Sequence, residues 1–210
     1  MPAAGLDRDA IVRVALTQLD EVGLEALSLR RVAKDLGVHP SALYYHFTNK
    51  QELLDEMARA IIADALNLAD APHRQRWDDW LVFLARTQRR AVRTHRDGAI
   101  LMFRSRPTAA DQLAYLDTLI QLLITDGFTA EGAGRAFSAV SGYAIGIAAA
   151  EQQRANIALD PAVLEKIGAH SGFATIAEAA AAEDAAFEHG LHWLIEGMRA
   201  ELAAAPSNSA

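Results

Sequence analysis

The sequence predicts an all-α protein, with an N-terminal three-helix head containing a helix-turn-helix, joined by a fourth helix to a larger helical domain. Three observations carry this reading. Apolar residues recur at spacings of three and four along most of the chain. No run alternates over a strand length, and prolines are sparse, six in 210 residues. The length is enough to bury a sizeable core without staples, and there is no internal repeat.

The first helix is expected from Asp7, an N-cap, to Val22, with Ile11, Ala15, Leu16, Leu19 and Val22 on one face and Gly23 ending it. Ser28 caps a second helix that turns Leu29, Val32, Ala33 and Leu36 inward and stops at Gly37. A three-residue turn leads to a third helix opened by Pro40, whose fixed φ suits a first-turn position. Asn49 caps a fourth helix with the face Leu53, Leu54, Met57, Ile61 and Leu66, expected to run to about Leu68 and to connect head and body. The segment 69–76, with Pro72, is the expected boundary. Helical patterns resume at 77–94, 99–104, 108–125, 130–154 and 182–204. Residues 157–180, rich in Ala and Gly, are expected to hold short helices or a loop, and 205–210 to be a disordered tail. The domain reading is a head over 1–50, with its motif at about 29–48, a connecting helix over 51–68, and a body over 77–204.

Composition removes several function classes. There are no cysteines, which excludes a disulfide framework, a thiolate zinc site and a cysteine nucleophile. Residues 1–5 lack the features of a signal peptide, and nothing reaches the roughly 20 apolar residues of a membrane span, so a soluble cytoplasmic protein is expected. The net charge is −7, but residues 1–50 carry six Lys/Arg against six Asp/Glu, so the whole negative excess lies in 51–210. The acidic body is therefore not a nucleic-acid surface, whereas the head can be.

A recognition helix must be polar on the side that enters the major groove and apolar on the side that packs. In VHPSALYYHF, residues 38–47, Ala42 and Leu43 supply packing while His39, Ser41, Tyr44, Tyr45 and His46 supply short or planar hydrogen-bonding groups. Arg30 and Lys50 flank this unit, placed to grip phosphates. The longer stretch LSLRRVAKDLGVHPSALYYHFTNKQELLD resembles the head of the TetR family of regulators. That resemblance implies phosphate contacts for Tyr44, His46 and Lys50, and base or backbone contacts for Arg30 and the exposed side of His39, Pro40, Ser41 and Ala42. It also implies binding as a dimer to near-palindromic duplex DNA. Taken alone, Tyr44, Tyr45 and His46 would read as an aromatic packing cluster; in this context Tyr45 and Phe47 stay divided between contact and core, and Arg31 between DNA and solvent.

The resemblance continues in the body. The stretches WDDWLVFLARTQRRAVRTHRDGAILMFRSRPT and DGFTAEGAGRAFSAVSGYAIG are similar to the tetracycline-repressor type of C-terminal domain. In that type, polar groups hold a tetracycline and a magnesium ion, and here most are replaced. Met102 stands at a metal-ligating position and Ala150, beside Glu151, at that of an assisting carboxylate; a thioether is a poor magnesium ligand. Leu66, Leu84 and Gln88 stand at drug-contacting positions. The expectation is no metal, no cofactor and no response to magnesium-tetracycline, but a mostly apolar pocket lined by Leu66, Leu84, Gln88, Met102, Phe103, Thr118 and Tyr143 that takes a hydrophobic or aromatic small molecule and thereby releases a repressor from DNA. Met102 and Phe103 read equally well as ordinary core. His95 and Arg106 fall in matched loops near the domain junction.

The resemblance further implies a homodimer through a four-helix bundle of 130–154 and 182–204. Gly134, Ala139, Gly142 and Gly146 allow close approach, and Phe187, Leu191, Leu194, Ile195 and Met198 make an apolar face with Trp193 beside it. The competing class is an enzyme: His189, His192 and Glu196 share one helix face at di-metal spacing, yet 130–154 offers only Glu131 and Glu151 and no matching motif. A third reading keeps the DNA-binding head on a body without an effector.

Overall fold

The structure, a computed structural model, describes residues 6–66, 76–107, 109–156 and 182–204. Every element among them is helical: α1 Arg8–Ala26, α2 Leu29–Asp35, α3 Pro40–Leu43, α4 Lys50–Ala65, α5 Trp77–Arg93, α6 Gly98–Arg104, α7 Ala110–Thr125, α8 Ala130–Asn156 and α9 Glu183–Ala204. The expectations for 67–75, 157–180 and 205–210 lie outside the described residues.

The head's helices begin where capping side chains satisfy first-turn amides. Asp7 accepts from Ala10 N, Ser28 from Arg31 N and Asn49 from Glu52 N. Gly23 breaks α1 at φ 76°, ψ 169°, a conformation closed to side chains with a Cβ, and one further turn runs to Ala26. Helix α3 is only one turn long, and α4 ends at Ala65 with Leu66 as its cap, short of the expected Leu68.

Two cores form. In the head, Ile11, Leu19, Val32, Leu43, Phe47, Leu53, Met57 and Ile61 close into one cluster, and Ala91 of α5 and Leu101 of α6 enter it from the body. Helix α4 thus packs as part of the head while α5 and α6 reach into the same cluster. The body core gathers Trp77, Leu81, Leu84, Leu119, Leu123, Val140, Phe187, Leu191 and Ile195 from α5, α7, α8 and α9. This corrects the expected dimer face of α9. Phe187, Leu191 and Ile195 are 1–3 % exposed and pack within their own subunit, because the apolar stripe of an amphipathic helix is first claimed by the nearest core; His192, Trp193 and Glu196 are among the residues that α9 leaves outside. On α8, Ala139 and Gly142 are exposed, and a Cβ added at Gly134, Gly142 or Gly146 meets nothing within 4 Å.

A charged network locks α5 to α8 and α9. The Arg89 guanidinium, 9 % exposed, bonds Glu151 at 2.7 Å and Asp184 at 2.8 Å and lies 4.6 Å over the Phe187 ring. Asp78 is 2 % exposed; burial opposes its charge, but hydrogen bonds from Arg76 and Arg199 prevail and bring its pKa down to about 2.

Candidate functional site

The helix-turn-helix is built to hold one short helix rigidly outward. Leu43 and Phe47, both 0 % exposed, anchor it from below. Arg8 of α1 braces it from the side: its guanidinium sits 4.4 Å over the Phe47 ring, donates to the His46 carbonyl oxygen, and pairs with Glu52 at 2.9 Å. Glu52 in turn accepts from the backbone N–H and hydroxyl of Thr48, which hold its carboxyl below the usual carboxylate range. Together with the Asn49 cap this forms a reciprocal box that fixes the start of α4, and with it Lys50.

On that scaffold the candidate contact residues are exposed or partly exposed. Tyr44 is 57 % and Tyr45 92 % exposed, so neither belongs to a packing cluster; Phe47 alone takes the core role. Arg30, Arg31, His39 and Ser41 are exposed, while Pro40, Ala42, His46 and Lys50 are partly so. His39 is also a helix cap, its Nδ1 2.8 Å from Ser41 Oγ and accepting from Ser41 N at 3.3 Å. Lys50 Nζ donates to the Leu24 carbonyl at 3.4 Å, which uses one of its three donors and steers the ammonium toward the α1–α2 loop.

The proposed effector residues are dispersed. Leu84 lies in the body core, and Met102 packs partly against the head core and partly against the small cluster of Val92, Ala99, Ile145 and Ala148. Gln88 donates from Nε2 to Ser141 Oγ at 3.1 Å, while its buried Oε1 has no partner. Phe103 is 56 % exposed, Thr118 donates to its own helix at the Ala114 carbonyl, and Leu66 caps α4. Tyr143 stacks on Phe187 and donates to the Phe187 carbonyl at 3.0 Å, tying α8 to α9. Glu151, beside the position of the assisting carboxylate, is consumed by Arg89.

Residues that sequence reasoning did not single out make the head–body junction. At the α5–α6 turn, Asp97 sits at φ 56° and its Oδ2 accepts from Leu24 N at 2.9 Å, directly beside the Gly23 break. Asp20 on α1 receives the Arg96 N–H at 2.9 Å and lies 2.9 Å from His95 Nδ1. Gln152 of α8 grips the same turn from behind, donating to the Val92 and His95 carbonyls at 2.9 and 2.8 Å and accepting from Ala99 N at 3.3 Å. At the far end of α6, Gln51 donates to the Arg104 carbonyl at 2.7 Å, and Asp55 accepts from Arg106 N at 2.9 Å. The expected positions of His95 and Arg106 at the junction are where the structure has them. The Asp-Gly at 97–98 and Gly23 were the visible signal, since a turn residue beside a glycine marks special backbone.

The enzyme alternative gains no support. His189 packs edge-on to Trp193, His192 stands 3.9 Å from Glu196, and Glu196 pairs with Arg199. Among the described residues no group of three His, Asp or Glu side chains is placed to hold a metal, and no helix is long and apolar enough to cross a membrane.

Comparison with known proteins agrees with this architecture. Residues 11–57 match the family described as bacterial regulatory proteins, tetR family, and residues 70–202 match the tetracyclin repressor-like C-terminal domain. The tetracycline repressor protein class C of Escherichia coli is 36 % identical over 203 residues, covering 92 % of this chain and 90 % of that protein. Among solved structures, a TetR variant from Acinetobacter baumannii AYE in complex with minocycline superposes with a TM-score of 0.78 at 30 % identity, covering 98 % of this chain and 99 % of that one. BioQ with its natural double-stranded DNA operator superposes at 0.63 with 26 % identity, covering 93 % and 99 %. With both domain models matched in order along most of its length, the chain belongs to the TetR family of DNA-binding transcriptional regulators.

Proposed function

We propose that the protein is a cytoplasmic homodimeric repressor that reads a near-palindromic operator through α3 and leaves it when a small, mostly apolar molecule binds the body. The observation that carries the reading is the exposed Tyr44–Tyr45 surface at the C-terminal end of the one-turn α3, a unit braced by Arg8, Phe47 and Glu52. Solvent-facing tyrosines on so rigid a mount suit the sugar-phosphate backbone and base edges of a groove, with Arg30 and Lys50 as flanking cations. In a dimer the two heads must sit about 34 Å apart to enter successive major grooves. The open small-residue face of α8 and the exposed Trp193 side of α9 are the surfaces on which the partner would pack.

The effector reading is supported on α5. Leu84 and Gln88 share one face of the helix, and Gln88 Oε1 is a buried acceptor without a donor. A ligand O–H or N–H would satisfy it, so the favoured effector is an apolar or aromatic body carrying one hydrogen-bond donor. Leu66, Met102, Phe103, Thr118 and Tyr143 are the other residues proposed to meet the effector, although Phe103 is 56 % exposed and Tyr143 is engaged by Phe187; Met102 would be the link to the head because it packs against both the head core and the Val92 cluster. A ligand acts only through its differential affinity for the two settings of the heads, and the Asp97–Leu24 and Gln51–Arg104 contacts are the route by which α6 would move α1 and α4. Magnesium-tetracycline is not the expected effector, since Met102 offers a thioether and the Glu151 carboxylate is held by Arg89.

The test is binding of purified protein to its own upstream intergenic DNA across a salt series, backed by genome-wide selection of bound fragments. Specific binding to a near-palindrome, weakened by salt and by Tyr44→Ala and Lys50→Ala, is expected. Failure of both the upstream DNA and the genomic selection to yield a site overturns the reading.

A further inference from the structure

Helix α5 carries four arginines, Arg86, Arg89, Arg90 and Arg93, on one face. With Thr94, Phe187 and Glu188 they line a cleft of about 270 Å³ between α5 and α9. A neighbouring hollow of about 350 Å³ shares Arg86 and Arg90. Such a concentration of positive charge runs against a chain of net charge −7.

Arg89 has a structural task, buried against Phe187 and bonded to Glu151 and Asp184. Arg86 and Arg93 differ, at 57 % and 40 % side-chain exposure. Arg86 pairs with Glu188 at 2.7 Å, itself 46 % exposed, and Arg93 shares Glu151, Glu183 and Asp184 at 3.5 Å each. The Arg86–Glu188 and Arg93–Glu183 pairs are largely exposed and so add little to stability. An incoming carboxylate exchanges for them at little loss and gains the planar two-point geometry that guanidinium offers. Phe187 floors the same cleft but is 1 % exposed, its ring covered by Arg89 and Tyr143.

We infer that the α5–α9 cleft is a binding site for a small carboxylate, its anionic group taken by Arg86 and Arg93. At 100° per residue, Arg86 and Arg93 face away from Leu84 and Gln88, so this site does not rest on the proposed effector contact at Gln88. Binding competes with Glu188 for Arg86, and so loosens the tie between α9 and α5.

The experiment is isothermal titration of the full chain at low ionic strength with three probes: benzoate, its uncharged counterpart benzamide, and inorganic phosphate. Saturable benzoate binding is expected, weaker by about tenfold or more in Arg86→Gln and Arg93→Gln, and for benzamide against benzoate. Glu188→Gln, which removes the competing carboxylate, is expected to tighten benzoate. Thermal melts confirm that each variant, changed only at exposed side chains, is folded. No saturation by benzoate, unchanged affinity in both arginine variants, or benzamide binding equally well overturns the site. Phosphate binding as tightly as benzoate overturns its assignment to a carboxylate.

Discussion

Replacing Asp97 with glycine chiefly removes one acceptor from the head–body junction, because glycine holds the φ of 56° without strain. The Leu24 N–H that Asp97 Oδ2 receives at 2.9 Å belongs to a residue only 2 % exposed, so its lost partner is not simply replaced by water. Stripping a buried donor of a carboxylate acceptor costs about 1.5–3 kcal/mol. At about 1.4 kcal/mol per decade, the opening equilibrium of the loop after Gly23 shifts about ten- to a hundredfold. Amide hydrogen exchange followed by NMR reads this directly: the Leu24 amide accelerates by that factor in Asp97→Gly, while Leu53 and Met57 in α4 keep their protection. A global loss of stability would instead lower protection everywhere, and a parallel urea titration separates the two. Asp97→Asn keeps an uncharged acceptor and should lose less; Asp97→Ala adds about 1–2 kcal/mol of left-handed strain. Leu24 exchange in Asp97→Gly within about twofold of the parent would refute the claim that this carboxylate holds head to body.

Three further outcomes are expected. Lys50→Ala should reduce the steepness of log K against log salt for operator binding by about one phosphate's worth, roughly 0.9, whereas Tyr44→Phe should weaken binding with little change in that slope; gel-shift titrations across salt check both. Gly142→Arg places a long charged side chain on the open face of α8, where a Cβ meets nothing in the isolated chain, so it should leave the fold intact by circular dichroism yet yield monomers by sedimentation and abolish operator binding. Asp78, with its pKa lowered from 3.8 to about 2, binds its proton more weakly folded than unfolded; its contribution is full above about pH 4 and lost as pH falls through 2, about 2 kcal/mol in all. Acid titration of stability in Asp78→Asn should therefore be flatter between pH 4 and 2 than in the parent.

The starts of the head's helices were legible because Asp7, Ser28 and Asn49 declare themselves locally, each accepting from an amide three residues on. The body's helices were legible from apolar spacing, to within two residues at the ends the structure describes. What periodicity cannot say is which neighbour a stripe meets, and so Phe187, Leu191 and Ile195 were assigned to a partner subunit when their own core takes them. The DNA face was legible from motif rather than physics, since YYHF has no local property that exposes Tyr44 and buries Phe47. The junction was least legible: Asp20 with Arg96 and Leu24 with Asp97 are polar pairs separated by 76 and 73 positions, and only the folded chain brings them together.

Gln152 lies on the helix that the proposed dimer would bury, yet its amide spans both ends of the α5–α6 turn that carries Asp97. In that dimer one side chain would index the angular setting of each reading head to the two-fold axis of the pair. Operator spacing and subunit symmetry would then be a single mechanical quantity, and a variant that rotated α8 by a few degrees would retune the distance between half-sites without touching a residue that meets DNA.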